Sequence, residues 1–213
     1  MPVLMDIKVT ELLCARLCHE LASPVGAINN GIEMVQEFDE SMMPEAMPLI
    51  ASSASLVAER LKFYRMAYGR AGTTSIISDT EIRELAEGYL SDGRSSLDWP
   101  DGVGIAQWPE GWGKLLLNML PLATETMPRG GVIRVHVKDS ADTVRLSLIA
   151  EGAGARIPEE CQAALESGVA VEALTPRSVH AYFLARLAER LATGIEINDA
   201  GSDQTVISVS LAR

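Results

Sequence analysis

The chain has 213 residues, 47% of them hydrophobic and 22% charged, with a formal net charge of −11. That length suits one large or two small domains, and with 5% aromatic residues the core must be mostly aliphatic and methionine. The acidic balance, with no basic stripe, repels phosphate backbones and excludes nucleic acid as a partner. No apolar run reaches the ~18 residues needed to cross a bilayer. Residues 1–6 also lack the basic flank of a signal peptide, so the sequence reads as cytoplasmic, with no membrane contact. Cys14, Cys18 and Cys161 fit a reducing compartment rather than a disulfide framework. Cys14, Cys18 and His19 do not complete a tetrahedral set with any other cluster, so no metal is expected.

Two long helices open the chain. Apolar residues recur at Leu13, Leu17, Leu21, Val25, Ile28, Ile32 and Val35, in steps of three and four, which predicts an amphipathic helix from Asp6 to Asp39. Pro44 suits a helix start, and a second helix is predicted over Glu45–Tyr68. Its seam of Ile50, Ala54, Val57, Leu61, Tyr64 and Tyr68 has heptad spacing. The two stripes exceed what one hairpin covers. Two hairpins meeting about a two-fold axis as a four-helix bundle resolve that, so a homodimer is expected; the alternative is a hairpin packed only on its own downstream domain. Gly69–Ser75 reads as a linker, which sets a helical-hairpin domain at 1–72 and a second domain at 76–213.

The second domain alternates helix and strand patterns. A helix is expected from Ser78 to Leu90, and a short hairpin joins Leu97–Trp99 to Val103–Ala106 across Pro100-Asp101-Gly102. Gly111–Leu120 reads as a buried helix, followed by strands over Val132–Lys138 and Thr143–Ala150. After a short helix following Ile157, a long one is expected over Pro176–Ala192, and strands at Ile195–Asn198 and Thr205–Leu211 close the sheet. The fold class is α+β: a helical hairpin, then an α/β sandwich with helices on one face. Trp99, Trp108 and Trp112 are expected in the core, and His136 and His180 in structural or solvent-facing roles.

The most informative stretch is Leu17–Asn30. At about 100° per residue, His19 lies about 200° from both Leu17 and Leu21 and points away from the buried stripe. Arg16, Ser23, Gly26 and Asn30 fall on the same exposed line, leaving an outward imidazole framed by small and polar residues. Pro24 removes one backbone donor and should loosen the helix five residues past the histidine.

His-Glu-Leu-x-x-Pro-hydrophobic, here His19-Glu20-Leu21-Ala22-Ser23-Pro24-Val25, resembles the H-box of histidine-kinase dimerisation domains. In its fuller form, from Leu17 through Gly31, the segment is most similar to the ChpT-type histidine phosphotransferases of bacterial phosphorelays. The second domain resembles the histidine-kinase ATP-binding (Bergerat-like) domain in element order, but its nucleotide boxes are degenerate. Where the kinase N-box places a magnesium-binding asparagine this chain has Leu122, and where it places a lysine this chain has Glu125. A hard cation needs an oxygen ligand at the first position, and a carboxylate at the second repels phosphate. Ala150-Glu151-Gly152-Ala153-Gly154 keeps the G1 glycines without the adenine-reading acid, and Arg177-Ser178-Val179-His180 stands where G2 glycines should precede the last long helix.

The resemblance implies a dimeric phosphotransferase that makes no phosphoryl group of its own. His19 would carry a phosphoryl group between the aspartate of a hybrid-kinase receiver and that of a response regulator, with Glu20 orienting the ring or assisting proton movement. Arg16, Ser23, Pro24, Gly26 and Asn30 would face the docked receiver. The chain would bind no cofactor and no ATP, and the receiver would bring Mg²⁺. Two other readings remain open: a non-catalytic dimeric scaffold that binds receivers, and an autophosphorylating kinase fragment, which the lost nucleotide residues disfavour.

Overall fold

A computed structural model describes residues 6–38, 40–69, 78–100, 110–140, 142–201 and 203–212. Helix α1 (Ile7–Phe38) runs unbroken through Pro24, and a 3-10 turn (Glu40–Met42) leads into α2 (Met43–Ala67). The helices close tightly because Gly31 faces Ile50: a Cβ on Gly31 would lie 2.6 Å from the Ile50 Cγ1. Ala46 and Ser53 are buried on the facing helix, whereas Leu61 of the expected seam is 52% exposed. The expected linker lies almost wholly outside the described residues.

The second region consists of α3 (Asp79–Tyr89), β1 (Ser95–Asp98), α4 (Trp112–Glu125), β2 (Gly131–Asp139), β3 (Thr143–Glu151) and α5 (Glu159–Leu165). A 3-10 turn (Val171–Ala173), α6 (Val179–Arg190), β4 (Ile195–Asp199) and β5 (Gln204–Ala212) complete it. The sheet order is β1-β2-β3-β5-β4. The expected partner of β1 in a hairpin, Val103–Ala106, lies outside the described residues. Among the described residues β1 pairs parallel with β2, Ser95 opposite Gly131. Parallel neighbours need a crossover, and α4 supplies it. Ser78 caps α3 by accepting the Glu81 N–H at 3.2 Å.

Period-two patterning makes the sheet one-sided. Ile133 and Val135 of β2 meet Ala150 and Leu148 of β3, and Leu148 and Leu146 meet Ile207 and Val209 of β5, all buried. The opposite face carries Arg134, His136, Arg145 and Ser210, with Arg145 donating to Ser208 and bridging to Glu196. The helices therefore lie on one face, as the patterning predicts. Helix α4 runs to Glu125, past the expected Leu120, and its residues Trp112–Ala123 are all buried. Trp99 and Trp112 belong to the core; Trp108 lies outside the described residues. Fully burying a leucine is worth about 2 kcal/mol, so this face supplies most of the stabilisation.

The hairpin docks on the second region through its open end. Val9 is 4% exposed and belongs to the common core, with Leu12, Leu13, Leu17 and Leu21 packed against it. On α2, Phe63 stacks on Tyr89 with ring centroids 4.2 Å apart, and Tyr68 meets Phe183 edge-on at 5.4 Å. The apolar stripe of α1 thus splits: its first half is covered by the chain's own downstream domain, while Val25 (43%) and Ile32 (42%) stay exposed. No helix among the described residues is long and apolar enough to cross a membrane.

Candidate functional site

Helix α1 presents His19 to solvent. Its ring forms no hydrogen bond or ion pair among the described residues. The helical period that buries part of Leu17 and Leu21 against the core forces the residue between them outward. Ser23 and Asn30 are exposed on the same helix, and a Cβ added at Gly26 would meet nothing within 4 Å. These residues share one open helix surface with the imidazole. Pro24 is buried instead, so of the expected partner-facing set it offers the least surface.

Arg16 departs from its expected place on the exposed line. Its side chain is only 11% exposed, because its length lets the guanidinium reach down into the junction between hairpin and second region. Nε binds Glu20 at 2.9 Å, and Nη2 binds Glu125 at 3.2 Å. Nη1 also donates to the carbonyls of Pro176 and Arg177. Burial opposes the Arg16 charge, but the carboxylates of Glu20 and Glu125 outweigh it and raise the pKa.

Glu20 follows His19 in the chain but turns toward α2. One oxygen accepts from Arg16; the other accepts from Arg60 at 2.9 Å and from the Tyr64 hydroxyl. Arg60 continues to Asp92 at 3.1 Å and lies over the Tyr89 ring, 5.7 Å from its centroid. Burial and the Glu20 charge push the Tyr64 hydroxyl well up, and burial pushes Tyr68 up to about 12. Both phenols therefore stay protonated, and Tyr64 serves as a donor. The carboxylate beside the imidazole is consequently the hub of a network joining α1, α2 and the second region.

The spacing of Arg16 and Glu20 (i, i+4) is legible in the sequence, but Arg60, Tyr64, Asp92 and Glu125 join from 40 to 109 positions away. No local signal marks them.

The positions compared above with kinase nucleotide boxes make structural contacts. Leu122 is fully buried in the core. Asn118 is buried and donates to the carbonyls of Ala67 and Lys114, both at 2.8 Å, tying α4 to the end of α2. Glu125, at the kinase lysine position, bridges Arg16 and Arg177. Gly152 is kept for packing: a Cβ there would lie 2.3 Å from the Gly130 carbonyl oxygen. Ahead of α6, Thr175 and Ser178 occupy the turn with reciprocal hydrogen bonds, and α6 begins at Val179 rather than at the expected Pro176. His180 is buried and His136 exposed. Cys161 is buried, and burial raises its thiol to about 12, which makes it unreactive.

Residues 79–203 match the family described as the histidine phosphotransferase C-terminal domain. Over 201 residues the chain is 36% identical to Protein phosphotransferase ChpT of Brucella abortus (strain 2308), covering 92% of this chain and 93% of that protein. A 1.7 Å structure of a bacterial phosphotransferase superposes with a TM-score of 0.82 at 32% identity, over 98% of this chain and 99% of the other. Sporulation kinase E of Bacillus subtilis (strain 168) is 29% identical over 157 residues, 70% of this chain but 21% of that kinase. An outward histidine on a helical hairpin, packed on an α+β domain, thus goes with likeness to phosphotransferases over nearly the whole length. The chain belongs to the histidine phosphotransferase family and is a phosphotransferase of phosphorelay signalling.

Proposed function

We propose that His19 is the residue that carries the phosphoryl group, received from the aspartyl phosphate of a hybrid-kinase receiver and delivered to the aspartate of a response regulator. The observation that carries this reading is the exposed, uncommitted imidazole on α1 with open helix surface beyond it at Ser23, Gly26 and Asn30. A neutral ring nitrogen, assigned as Nε2, attacks phosphorus with its lone pair. The N–P bond forms as the P–O bond to the donor aspartate breaks, and the departing electron pair returns to the carboxylate. The second transfer runs the same exchange in reverse, with a new carboxylate as nucleophile. Imidazole suits both directions because much of it is neutral near pH 7.

The chain's own contribution is placement. Asn30, Ser23 and Gly26 border the docked receiver, Pro24 sets the helix beneath it, and Arg16 braces the hairpin from below. Glu20 is assigned to ring orientation or proton movement. Because Arg16, Arg60 and Tyr64 hold both its oxygens, reaching His19 requires exchanging one of these partners as the receiver docks. The receiver supplies Mg²⁺; this chain binds neither metal nor ATP and works in the cytoplasm.

The working unit is a homodimer. All seven exposed large hydrophobic side chains among the described residues, from Ile7 to Leu61, lie on the hairpin. A second hairpin packed against them completes a four-helix bundle. The decisive experiment is transfer of labelled phosphate from a hybrid-kinase receiver: the native chain takes up acid-labile, base-stable label, and His19→Ala takes up none. Labelling retained in that variant refutes the assignment.

A further inference from the structure

The hairpin and the second region meet around a cavity of about 650 Å³, within the size range that holds small organic ligands. Five arginines line it: Arg16, Arg60, Arg94, Arg129 and Arg177. Three are committed, Arg16 to Glu20 and Glu125, Arg60 to Glu20 and Asp92, and Arg177 to Glu125 and Glu160. Arg94 and Arg129 form no ion pair among the described residues. Five guanidinium charges thus face the three lining carboxylates, a local balance of +2 in a chain of −11.

The two unpaired arginines stand on turns fixed by the backbone. Arg94 directly precedes β1, and Arg129 lies two residues before β2, where Ser95 pairs with Gly131. The first turn is closed by the Gly93 N–H to the Leu90 carbonyl at 3.2 Å, the second by the Gly130 N–H to the Met127 carbonyl at 3.0 Å. Gly130 has φ +75°, and a Cβ there would lie 2.0 Å from the Arg94 carbonyl oxygen, so only glycine lets the turns lie backbone against backbone. Leu90, Met127 and Pro128 also line the cavity, with Pro128 exposed and the edges of the two buried side chains beside it.

We infer that this cavity binds a small organic anion bearing at least two phosphate charges. Arg94 and Arg129 hold the phosphates, and the apolar lining around Pro128 receives the rest. A guanidinium fork matches phosphate bidentately, and two forks with a surplus of two charges match a diphosphate better than a single carboxylate. The site is separate from the Gly152–Gly154 turn, whose own cavity shares no lining residue with it. Arg16 and Arg60 of the hairpin also line the cavity, so an occupant touches both hairpin and second region.

Calorimetric titration of the full chain with inorganic pyrophosphate and with uridine diphosphate, both without added metal, tests the site. Both probes should bind more weakly as salt rises, uridine diphosphate more tightly than pyrophosphate. The double variant Arg94→Ala/Arg129→Ala should raise both dissociation constants by about tenfold or more. Both side chains are exposed, so its thermal unfolding should match the native chain. Lysine at both positions should recover only part of the loss, because the charge remains and the fork does not. His19→Ala should bind as the native chain does, which keeps this outcome independent of phosphoryl transfer. No binding, or equal affinity in the double alanine variant, overturns the site; binding of pyrophosphate alone overturns the organic ligand.

Discussion

The hairpin and the second region treat their apolar side chains in opposite ways. Of the twelve largest fully buried side chains, Phe63 alone comes from the hairpin, and the rest fill the space between the sheet and its helices. Among the described residues, the large hydrophobics left in solvent, Val25, Ile32, Met47 and Leu61 among them, are all on the hairpin. A domain that has closed its core has no use for a partner to stay folded; a hairpin with an open stripe does. The division of labour follows. The second region provides a closed base, and the hairpin displays both the exposed imidazole proposed to carry phosphate and the open apolar stripe proposed to pair.

The sharpest way to break that division is at His19. Replacing it by alanine should abolish phosphoryl uptake, a loss of at least about a thousandfold, while leaving the melting temperature unchanged because the ring is exposed and makes no hydrogen bond or ion pair among the described residues. A large fall in stability would show that the imidazole belongs to the fold after all, and labelled transfer run beside a thermal melt separates the two outcomes.

Truncating leucines compares the two regions directly. Leu146→Ala, in the middle of β3 and fully buried, should cost about 2–5 kcal/mol in denaturant unfolding. Leu61→Ala, 52% exposed, should cost less than about 0.5 kcal/mol in a monomer. If the hairpins pair as proposed, Leu61→Asp should instead lower the dimer fraction by sedimentation and leave the circular dichroism of the second region intact.

How far these contrasts can be read from the sequence depends on the range of the interactions. Period carries over well: the alternation at Ile133/Val135 and Leu146/Leu148 specifies one-sided strands, and the three-four step through Leu17 and Leu21 turns His19 outward. Extents carry over less well, because α4 is buried on every side and has no amphipathic edge to mark its end at Glu125. Pairing is the hardest to read. Strand β1 pairs with β2 across a helix, a partnership that no local signal in the sequence announces. Arg16 shows the same limit at the site. Its angle on the helix is right, but a side chain of that length goes where the counter-charge is, and Glu125 lies 109 positions on.

That counter-charge makes the seam between the regions the next point to test. Arg16 and Arg60 share Glu20, and Arg16 also binds Glu125, all with side chains 20% exposed or less. Glu20→Gln leaves two guanidiniums and the Tyr64 hydroxyl with a weaker acceptor and should cost about 1.5–3 kcal/mol. A double-mutant cycle between Arg16 and Glu125 should return a coupling of about 0.5–3 kcal/mol. Zero coupling would mean that the bridge forms without contributing to how the regions are held.

The smallest expected effect lies inside the base itself. His180 is 1% exposed on the first turn of α6, and its pKa is pushed well below the usual 6.5, by burial first and then by the positive charges of Arg16 and Arg177. In the folded chain it therefore stays neutral at pH values where the unfolded chain protonates it. Below about pH 6.5 the unfolded state binds the extra proton, so stability falls as pH falls, at up to about 1.4 kcal/mol per pH unit. Above that pH both states are neutral and this contribution is flat. The reading calls for chemical denaturation of the native chain and of His180→Gln from pH 7.5 down to pH 5.5. The variant should start less stable, because glutamine fills the site poorly, yet lose less over that span. Equal slopes would show that the ring takes up its proton within the fold, which would require a hydrated path to α6 and a base less closed than its packing indicates.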